Sequence, residues 1–409
     1  MIQMIYYILF TITLLYGIYF VITGLFAFKH DDIPKIRPFR ARTKFAILIA
    51  ARNEALVIGD LIKSLKEQNY PAELFDIYSL INNCNDNTLE VAKKAGSKII
   101  NVTVPCKSKG DVLKFTFNKL KKKNYDAYII FDADNIVHPD FLKLMNNTYL
   151  SGYKVAQGRK DTKNISDNWL SASYALFHYV QNFFFNKSRM NLNAACAING
   201  TGFMVAKSIM DEGFDPKTVT EDIELSIHCV LKGIDIAYVE DAITYDEQPT
   251  KFNDSWHQRS RWSKGIIECN RLYRKALLKK WIKDKDFSCI DKFLFSSAPY
   301  VQTLSVILTL MLGVFYIFDI ELNDIFSYFF SLGLTCFMIG YLIDVIINMF
   351  MMIYYKRDLY DNLHGIFFFL IFMATWIPIN VICLFKKDLT WVQIEHNRKS
   401  SLEALLNEK

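Results

Sequence analysis

The segment YDAYIIFDADNIVHPDFLKLM, residues 125–145, combines a short apolar run with two closely spaced carboxylates. The apolar, β-branched part is typical of a buried strand, and Asp132 and Asp134 stand where that strand ends. A polar turn and a new helical pattern follow. The segment therefore predicts a strand that carries two carboxylates to one edge of a sheet, with a helix after it.

The same alternation of strand and helix continues on the N-terminal side of this segment. Short apolar runs predict further strands, and apolar residues at helical spacing predict the helices between them. The strands are expected at 44–54, 76–83 and 97–104, and the helices at 54–68, 85–96 and 109–123. Strands that alternate with helices favour an α/β fold with a doubly wound, mostly parallel sheet.

Polar side chains recur where three of these predicted strands end. They are Arg52, Asn53 and Glu54 after the first strand, Asn82 to Asp86 after the second, and Asp132 and Asp134 after the fourth. In open α/β sheets, ligands bind beyond the carboxyl ends of the strands. Helix caps and Asx turns explain any one of these ends, but the three together favour a binding site.

Apolar runs divide the chain into membrane and soluble parts. Residues 4–28 carry no charge over a length that spans a bilayer as a tilted helix, and we interpret them as a retained anchor rather than a signal peptide. Further apolar blocks lie at 296–318, 325–353 and 365–385. We therefore expect a membrane protein whose soluble domain follows its first span.

Basic residues predict the orientation of this protein in the cell membrane. No Lys or Arg precedes the first span, and six follow it: Lys29, Lys35, Arg37, Arg40, Arg42 and Lys44. The positive-inside rule then places the soluble domain in the cytoplasm of a multi-pass protein. The cysteines, which show no zinc-type spacing, agree with a reducing compartment. The net charge of +6 fits anionic membrane lipids better than nucleic acid, because no nucleic-acid-binding module is visible.

Three polar motifs each allow two interpretations. Asp132-Ala133-Asp134 would hold Mg²⁺ or Mn²⁺ together with a diphosphate, although such a pair also arises by chance. Thr220-Glu221-Asp222 opens a helical run, either as a helix cap or as a source of a general base. Residues 256–265, WHQRSRWSKG, form either an amphipathic helix on the membrane or an arginine site for a diphosphate, with a Trp face for a sugar ring.

The order of these motifs resembles that of the membrane-embedded inverting glycosyltransferases of family 2. Cellulose, hyaluronan and poly-N-acetylglucosamine synthases belong there, as do lipid glycosyltransferases that add a single sugar. The resemblance covers nearly the whole chain, and Q-x-x-R-W after T-E-D and ahead of transmembrane spans is its most specific part. It implies a GT-A fold, Rossmann-like with a mostly parallel sheet, in a cytoplasmic domain with transmembrane α-helices at both ends. It also implies a nucleotide-sugar donor, usually a UDP-sugar, and Mg²⁺ or Mn²⁺ as cofactor.

The resemblance implies a role for each matching residue of this chain. Asp222 would be the catalytic base, supported by Glu221, and Asp134 would bind the metal with Asp132. The nucleotide sugar would contact Asn53, Glu54, Asn82, Asp86, Lys109, Asp132, Gln258, Arg259 and Arg261. The acceptor would contact Trp262 and a glycine-containing loop formed by Asn199, Gly200, Thr201 and Gly202.

The chain departs from the family pattern at Asn82. Many relatives have an aspartate there, which pairs with the N3–H of uracil. Asn82 still offers a carbonyl oxygen but loses the charge-assisted hydrogen bond, so a preference for uridine stays open.

The apolar pattern and the resemblance together predict six parts. They are an N-terminal transmembrane helix (1–28), a basic linker (29–44), the GT-A domain (45–250), interfacial helices carrying Q-x-x-R-W (251–292), a C-terminal transmembrane region (293–386) and a cytoplasmic tail (387–409). Three full crossings after a cytoplasmic domain would leave the tail outside, although its basic sequence resembles cytoplasmic tails. Pro378 could break the 365–385 block, and the number of crossings stays open.

Three functions remain as alternatives. The first is a synthase of a β-linked polysaccharide that also translocates its product, and the second is a lipid glycosyltransferase that adds one sugar. The small number of spans favours the second, or a synthase assisted by an accessory membrane subunit. The third is a sensor or transporter that only binds nucleotide. Within the domain, residues 168–185 predict either an interfacial helix or a core helix, with His178 as a packing residue.

Overall fold

A computed structural model describes residues 2–29, 35–317, 333–386 and 402–407. Its strands are β1 (Phe45–Ala51), β2 (Phe75–Ile81), β3 (Lys98–Asn101), β4 (Ala127–Asp132), β5 (Ile136–Val137), β6 (Val155–Thr162), β7 (Phe203–Ala206) and β8 (Ile236–Asp246). Its helices up to the Q-x-x-R-W segment are α1 (Ile2–Leu25), α2 (Ile58–Lys66), α3 (Thr88–Ala95), α4 (Lys109–Leu120), α5 (Phe141–Leu150), α6 (Trp169–Val180), α7 (Ser188–Asn191), α8 (Lys207–Asp211), α9 (Glu221–Leu231) and α10 (Phe252–Asp284). The later helices are α11 (Phe287–Ser296), α12 (Ala298–Ile317), α13 (Gly333–Tyr354), α14 (Leu363–Ala374), α15 (Trp376–Phe385) and α16 (Leu402–Asn407).

The described strands form one sheet of mixed direction, in the order β3-β2-β1-β4-β7-β6-β8-β5. The four strands β3, β2, β1 and β4 are parallel neighbours, and β6 is parallel to β8. In contrast, β7 is antiparallel to β4 and β6, and β5 is antiparallel to β8. The sheet confirms the predicted α/β class, and its parallel part brings the carboxyl ends of β1, β2 and β4 to one edge.

Alternate residues of the central strands pack into two hydrophobic layers. Leu48 and Ile130 face a layer that includes residues of α4 and α9, whereas Ile47 and Phe131 face a layer that includes residues of α2 and α5. Because both faces are covered by helices, the central strands are apolar on both sides, as buried parallel strands usually are. This explains the continuous apolar runs in their sequence.

The local predictions made around the opening segment are confirmed. Each predicted strand and helix between residues 44 and 134 is present, and Gly96 ends α3 in the left-handed conformation with φ of 86°. Helix α9 begins directly after Thr220, whose side chain makes no capping hydrogen bond to the residues described.

Residues 168–185 form a core helix rather than an exposed one. They build α6 and the start of a π-helical segment, Gln181–Lys187, and α6 packs along α14. His178 is only 3% exposed, which agrees with its predicted packing role.

Three helices of the described part are long and apolar enough to cross a membrane by length and composition: Gln3–Phe28, Ala298–Phe315 and Leu363–Phe385. The third is interrupted at Thr375, between α14 and α15. Pro378 lies three positions later and has no N–H to offer the carbonyl of Ala374.

The predicted domain boundaries stay predictions. Helix α13 is the described part of the predicted block 325–353, and residues 318–332 lie outside the described residues. The same is true of residues 30–34 in the basic linker and of most of the tail, of which only 402–407 is described.

Candidate active site

The carboxyl ends of the parallel strands open into a cavity of about 770 Å³. Most of the predicted site residues line it: Glu54, Asn82, Lys109, Asp132, Asp134, Asn199, Gly200, Glu221, Asp222, Gln258, Arg261 and Trp262. The fold therefore brings together residues that are more than 200 positions apart in the sequence. Asn53, Asp86, Thr201 and Arg259 lie outside the lining.

Lys109 joins the end of β4 to the glycine loop. It is the first residue of α4, whose N-terminus is fixed by a capping box between Ser108 and Asp111. Its Nζ donates to Asp132 Oδ1 at 2.5 Å and to the Gly200 carbonyl at 2.7 Å. The ammonium therefore compensates the charge of one carboxylate of the Asp-Ala-Asp motif.

Asn135, which the sequence prediction missed, fixes the backbone after β4. Its Oδ1 accepts a hydrogen bond from the Asp132 N–H at 3.1 Å and another from the Thr201 hydroxyl. Its Nδ2 donates to Asp246 Oδ1 at 2.9 Å. Thr201 thus acts behind the cavity wall rather than in it. The available sequence signal for Asn135 was its place directly after Asp134.

Asp246 carries a second buried charge in this part of the site. It forms an ion pair with Lys160 at 2.6 Å. Although burial opposes its ionisation, Lys160 stabilises the carboxylate and holds the pKa of Asp246 below its usual range. Asp246 also lines the cavity together with Asp132 and Asp134, and Lys160 compensates its charge there.

The donor set around Asp134 fits a divalent ion that shares a diphosphate. Asp134 is 7% exposed, lines the cavity with Asp132, and accepts through Oδ2 from the Glu247 N–H at 3.4 Å. Among the described residues, no group of three or more His, Cys, Asp or Glu side chains could hold a metal ion alone. Mg²⁺ usually keeps several waters and binds one or two carboxylates plus substrate phosphates. Asp132 and Asp134 match that arrangement.

Glu221 and Asp222 form a pair of carboxyl groups at the start of α9, where Glu221 is buried and Asp222 is half-buried. Burial, and then the charge of Asp222, raise the pKa of Glu221 to about 7. Burial also raises the pKa of Asp222. Lys109 and Arg261 oppose both shifts. Glu221 therefore retains its proton to a higher pH than an ordinary glutamate, beside an Asp222 whose pKa is raised as well.

Gly200 lies directly against Asp222. Its φ is 79°, and a Cβ added there would lie 3.3 Å from Asp222 Oδ2. A larger residue would strain the backbone and crowd the carboxylate. The preceding Asn199 is held by its N–H, which donates to Gln157 Oε1 at 2.8 Å, while its buried Nδ2 has no hydrogen-bond partner among the described residues.

One face of α10 presents Gln258, Arg261 and Trp262 to the cavity. Positions three and four apart share a helix face, which explains this grouping. Gly265, on the same helix, lies so close to Thr220 that an added Cβ would be 2.1 Å from its Oγ1. This close approach holds α10 beside the start of α9.

Arg259 does not reach the cavity, in contrast to the sequence prediction. It follows Gln258 directly and so points about 100° away around the helix. The side chain is fully buried, and its Nη1 donates to the Phe372 carbonyl at 3.1 Å and to Thr375 Oγ1 at 2.6 Å. Its guanidinium also lies 4.5 Å from the centroid of the Phe372 ring. Arg259 thus fastens α14 and α15 to α10.

Asn53 and Asp86 connect the loops after β1 and β2. Asn53 has φ of 59°, and its Oδ1 accepts from the Asn85 N–H at 2.8 Å. Asp86 Oδ2 accepts from the Ala55 N–H at 3.1 Å. Asn82, at the end of β2, lines the cavity beside these two hydrogen bonds. Its buried Oδ1 has no hydrogen-bond partner among the described residues.

The cavity continues from the carboxylates into an apolar end between the candidate spans. Its lining there includes Tyr16 and Phe20 of α1, Ala298, Pro299 and Gln302 of α12, Phe369 and Met373 of α14, Trp376 and Asn380 of α15, and Phe177, Phe184, Phe185 and Phe295. Trp262 meets this end, where its ring lies 6.2 Å from that of Trp376 at an interplanar angle of 29°. Two polar residues interrupt the apolar end: Asn380 Nδ2 donates to Gln302 Oε1.

A family model described as "Glycosyltransferase like family 2" matches residues 41–265. The chain belongs to this family. The matched region runs from just before β1 to the middle of α10, and it includes all the residues predicted to bind donor or metal. The protein is therefore a glycosyltransferase that uses a nucleotide sugar.

Two curated relatives illustrate the range of this family. A probable glycosyltransferase, YdaM, from Bacillus subtilis is 27% identical over 309 residues, which cover 69% of this chain and 72% of YdaM. A beta-monoglucosyldiacylglycerol synthase from Trichormus variabilis is 24% identical over 279 residues, which cover 66% of this chain and 58% of that protein. The match thus spans just over half the length of the second relative.

The fold also matches that of a solved glycosyltransferase. A mannosyltransferase from Pyrobaculum calidifontis, determined in complex with GDP-Man and Mn²⁺, aligns with a TM-score of 0.62 at 12% identity, over 95% of this chain and 100% of its own. This likeness confirms the GT-A fold.

Proposed function

We propose that the protein is a membrane-bound inverting glycosyltransferase that transfers a sugar from a UDP-sugar to an acceptor hydroxyl and forms a β-linked product. The observation that carries the proposal is the cavity where Asp222, the Asp132–Asp134 pair and Arg261 meet at the carboxyl ends of the parallel strands. The cytoplasm is the compartment proposed for this cavity, with the spans in the cell membrane.

The donor would lie across the strand ends. Glu54 and Asn82 would contact the nucleoside, in loops that Asn53 and Asp86 brace, and the unpartnered Asn82 Oδ1 offers an acceptor for a base N–H. The diphosphate would lie between Lys109 on one side and Gln258 and Arg261 on the other. An arginine fork suits phosphate oxygens.

Asp134 and Asp132 would hold the divalent ion, Mg²⁺ or Mn²⁺. When bound, such an ion neutralises the charge that develops on a departing diphosphate. The complex of the Pyrobaculum calidifontis mannosyltransferase with GDP-Man and Mn²⁺ supports this choice of cofactor.

Transfer would occur as a single displacement. Asp222 accepts the proton of the acceptor hydroxyl while Glu221 keeps its own proton. The hydroxyl oxygen forms a bond to the anomeric carbon as the bond from that carbon to the diphosphate oxygen breaks. Lys109 and Arg261 stabilise the negative charge on the diphosphate, and attack from the opposite face inverts the anomeric configuration. Gly200 leaves the space beside Asp222 that the acceptor needs.

Release of nucleoside diphosphate by the purified full-length enzyme tests this proposal. A panel of nucleotide sugars should reveal at least one donor with sustained, metal-dependent release that Asp222→Asn abolishes. Asp134→Ala should remove metal-dependent donor binding, whereas Asp241→Asn, a carboxylate on the exposed part of β8, should change neither. A sensor or transporter would bind a nucleotide sugar without consuming it.

Two acceptor classes follow from this mechanism: a growing glycan, as in a polysaccharide synthase with or without an accessory membrane subunit, and a membrane lipid that receives one sugar. The apolar end of the cavity favours the lipid, because aromatic and aliphatic walls contributed by the candidate spans suit acyl chains. The relatives named as beta-monoglucosyldiacylglycerol synthases support the same class. With a radiolabelled donor, a polymer on a sizing gel would overturn the lipid assignment, and a single labelled lipid would overturn the synthase.

A further inference from the structure

The apolar segment Leu363–Phe385 contacts the catalytic domain at both of its ends. Before its first residue, Asn362 Oδ1 accepts a hydrogen bond from Ser166 Oγ at 3.4 Å. Gly365 then packs on α6 so closely that an added Cβ would lie 2.3 Å from Ala172 Cβ. Just after its last residue, the Lys386 carbonyl accepts from Lys264 Nζ at 2.6 Å.

The length of the segment makes this arrangement incompatible with a crossing. Its 23 residues correspond to about 34 Å of helix, and the hydrocarbon core of a bilayer is about 30 Å thick. A spanning helix would therefore carry one end to the far side of the membrane. Here, however, both ends reach residues of the family domain, within the matched region 41–265.

The middle of the segment runs along α10, which is too polar for the membrane core. Trp376 Nε1 donates to Ser263 Oγ at 3.1 Å, and Arg271 Nη2 donates to the Leu384 carbonyl at 3.0 Å. Nine of the 33 residues of α10 are Lys or Arg, and its second half is tied to the catalytic domain by Lys280, which donates to the Val230 carbonyl. Burial of so many charges at the bilayer centre is costly, so α10 and its neighbour lie near the surface.

The two faces of the segment differ in their surroundings. One face, which includes Ile366, Phe369, Phe372, Trp376 and Ile379, is buried against the protein. The opposite face exposes large apolar side chains: Phe367, Phe368, Ile371, Ile382 and Phe385. Large apolar side chains exposed in this way fit contact with lipid acyl chains rather than with water.

The flanking charges support the same arrangement. Lys356 and Arg357 precede the segment, and Lys386 and Lys387 follow it, so the positive-inside rule places both ends on one side. Between α12 and α13, by contrast, the sequence 318–332 contains three acidic residues and no Lys or Arg. That connection is expected on the opposite side.

We infer that α14 and α15 form an interfacial helix pair that contacts lipid acyl chains through its exposed face, and that α1, α12 and α13 are the segments that cross the membrane. The tail then starts on the side of the catalytic domain. A contact made by the tail agrees with this location, because Leu405 of α16 packs against Ile136 and Tyr245 of the sheet. This inference concerns membrane topology and does not depend on the proposed reaction.

Depth measurements with spin labels test the inference on the full-length protein in bilayers. Single cysteines replace Phe368 and Ile382, both exposed and 14 positions apart, in a background without the native cysteines. Interfacial helices place the two labels at similar depths, whereas a spanning helix separates them by about 21 Å. The matched control is Ile339→Cys and Ile353→Cys on α13, also exposed and 14 positions apart, which should differ by about that amount.

The location of the C-terminus gives a second readout that needs no substitution within the segment. Green fluorescent protein or alkaline phosphatase is fused after Lys409 of the full chain. The inference requires a fluorescent protein and an inactive phosphatase fusion, as for a cytoplasmic terminus. An active phosphatase fusion, or unequal depths at positions 368 and 382, would overturn it.

Discussion

Lys109 Nζ lies 2.5 Å from Asp132 Oδ1, so the Asp-Ala-Asp motif is not a pair of uncompensated carboxylates. The lysine compensates the charge of one of the two carboxylates. We expect Lys109→Met to lower kcat/KM for the donor by about 10²-fold, the usual effect of removing a group that stabilises transition-state charge.

The matched control for this prediction lies on the same helix. Lys114 forms an exposed ion pair with Asp215, and Lys114→Met should leave the kinetics unchanged. The measurement is the initial rate of diphosphate release against donor concentration. Equal rates for Lys109→Met and the wild type would exclude a role for Lys109 in the reaction.

The Glu221–Asp222 pair predicts two features of the pH profile. Asp222 must be ionised to accept a proton, and its pKa is raised by burial, so activity should be lost on the acidic side at a pH above the usual range for aspartate. Glu221 should add an inflection near pH 7, where its own raised pKa lies. Above that pH both carboxyl groups are charged.

Glu221→Gln separates these two features. The glutamine resembles the protonated acid, so the inflection near pH 7 should vanish while the acidic limb from Asp222 remains. Asp222→Asn should instead lower kcat by about 10²–10⁴-fold at every pH. A profile of Glu221→Gln that retains the inflection near pH 7 would show that another group titrates there.

Substitutions of the two arginines in the Q-x-x-R-W segment should have different effects, one on kinetics and the other on stability. Arg261 lines the cavity, so Arg261→Ala should raise KM for the donor and lower kcat/KM by about 10²-fold, with little effect on Tm. Arg259→Ala should destabilise the fold by about 2–4 kcal/mol, because Arg259 is buried and bound to the Phe372 carbonyl and Thr375.

Arg271→Ala provides the control on α10, because this side chain makes one exposed hydrogen bond to the α15 backbone. Thermal unfolding and donor kinetics of the three variants are compared in the same detergent. If Arg259→Ala raised KM at an unchanged Tm, Arg259 would have to contact the donor directly.

The sequence predicted the strand ends well because local patterns determine them. A parallel sheet necessarily places its carboxyl ends at one edge, so Asn82, Asp132 and Asp134 converge without further information. Arg259, which was predicted to bind the donor, lies outside the cavity because its position depends on tertiary contacts rather than on a local pattern. Its direction depends on the rotation of α10 around its axis, which the contacts with Thr220 and Phe372 set and the motif alone does not.

Long-range partners were also beyond prediction. Asn135 and Asp246 are 111 positions apart and form a hydrogen bond, and no motif or spacing in the sequence predicts that contact. The apolar pattern located Leu363–Phe385 correctly, but composition cannot distinguish a helix that crosses a bilayer from one that packs along α10. That difference lies in the contacts at both ends of the segment.

Substitution of Asn82 should change the preference of the enzyme for the nucleobase of the donor. Its buried Oδ1 has no hydrogen-bond partner among the described residues, and a carboxylate in its place would accept more strongly from the N3–H of uracil. Asn82→Asp should therefore lower KM for a UDP-sugar by about fivefold, equivalent to ~1 kcal/mol. The KM for a GDP-sugar should stay unchanged or rise.

The neighbouring Asn83 is exposed, so Asn83→Asp adds the same charge outside the cavity and serves as the control. Competition between the two donors gives the selectivity directly. Identical selectivity in Asn82→Asp and the wild type would remove Asn82 from the nucleobase site.

The polar pair inside the apolar end predicts how a lipid acceptor is held. Asn380 Nδ2 donates to Gln302 Oε1, while the buried Asn380 Oδ1 has no hydrogen-bond partner among the described residues. A few polar groups in a mostly apolar cavity usually fix the orientation of a ligand. If the acceptor is a lipid, these amides bind its polar linkage, and Asn380→Leu should raise KM for dioleoylglycerol in nanodiscs about fivefold through the loss of one hydrogen bond.

Diphosphate release without an acceptor should stay unchanged, which separates this effect from damage to the donor site. Ser305→Leu, on the exposed side of α12, is the control, and equal KM values for Asn380→Leu and this control would exclude the polar pair from the acceptor site.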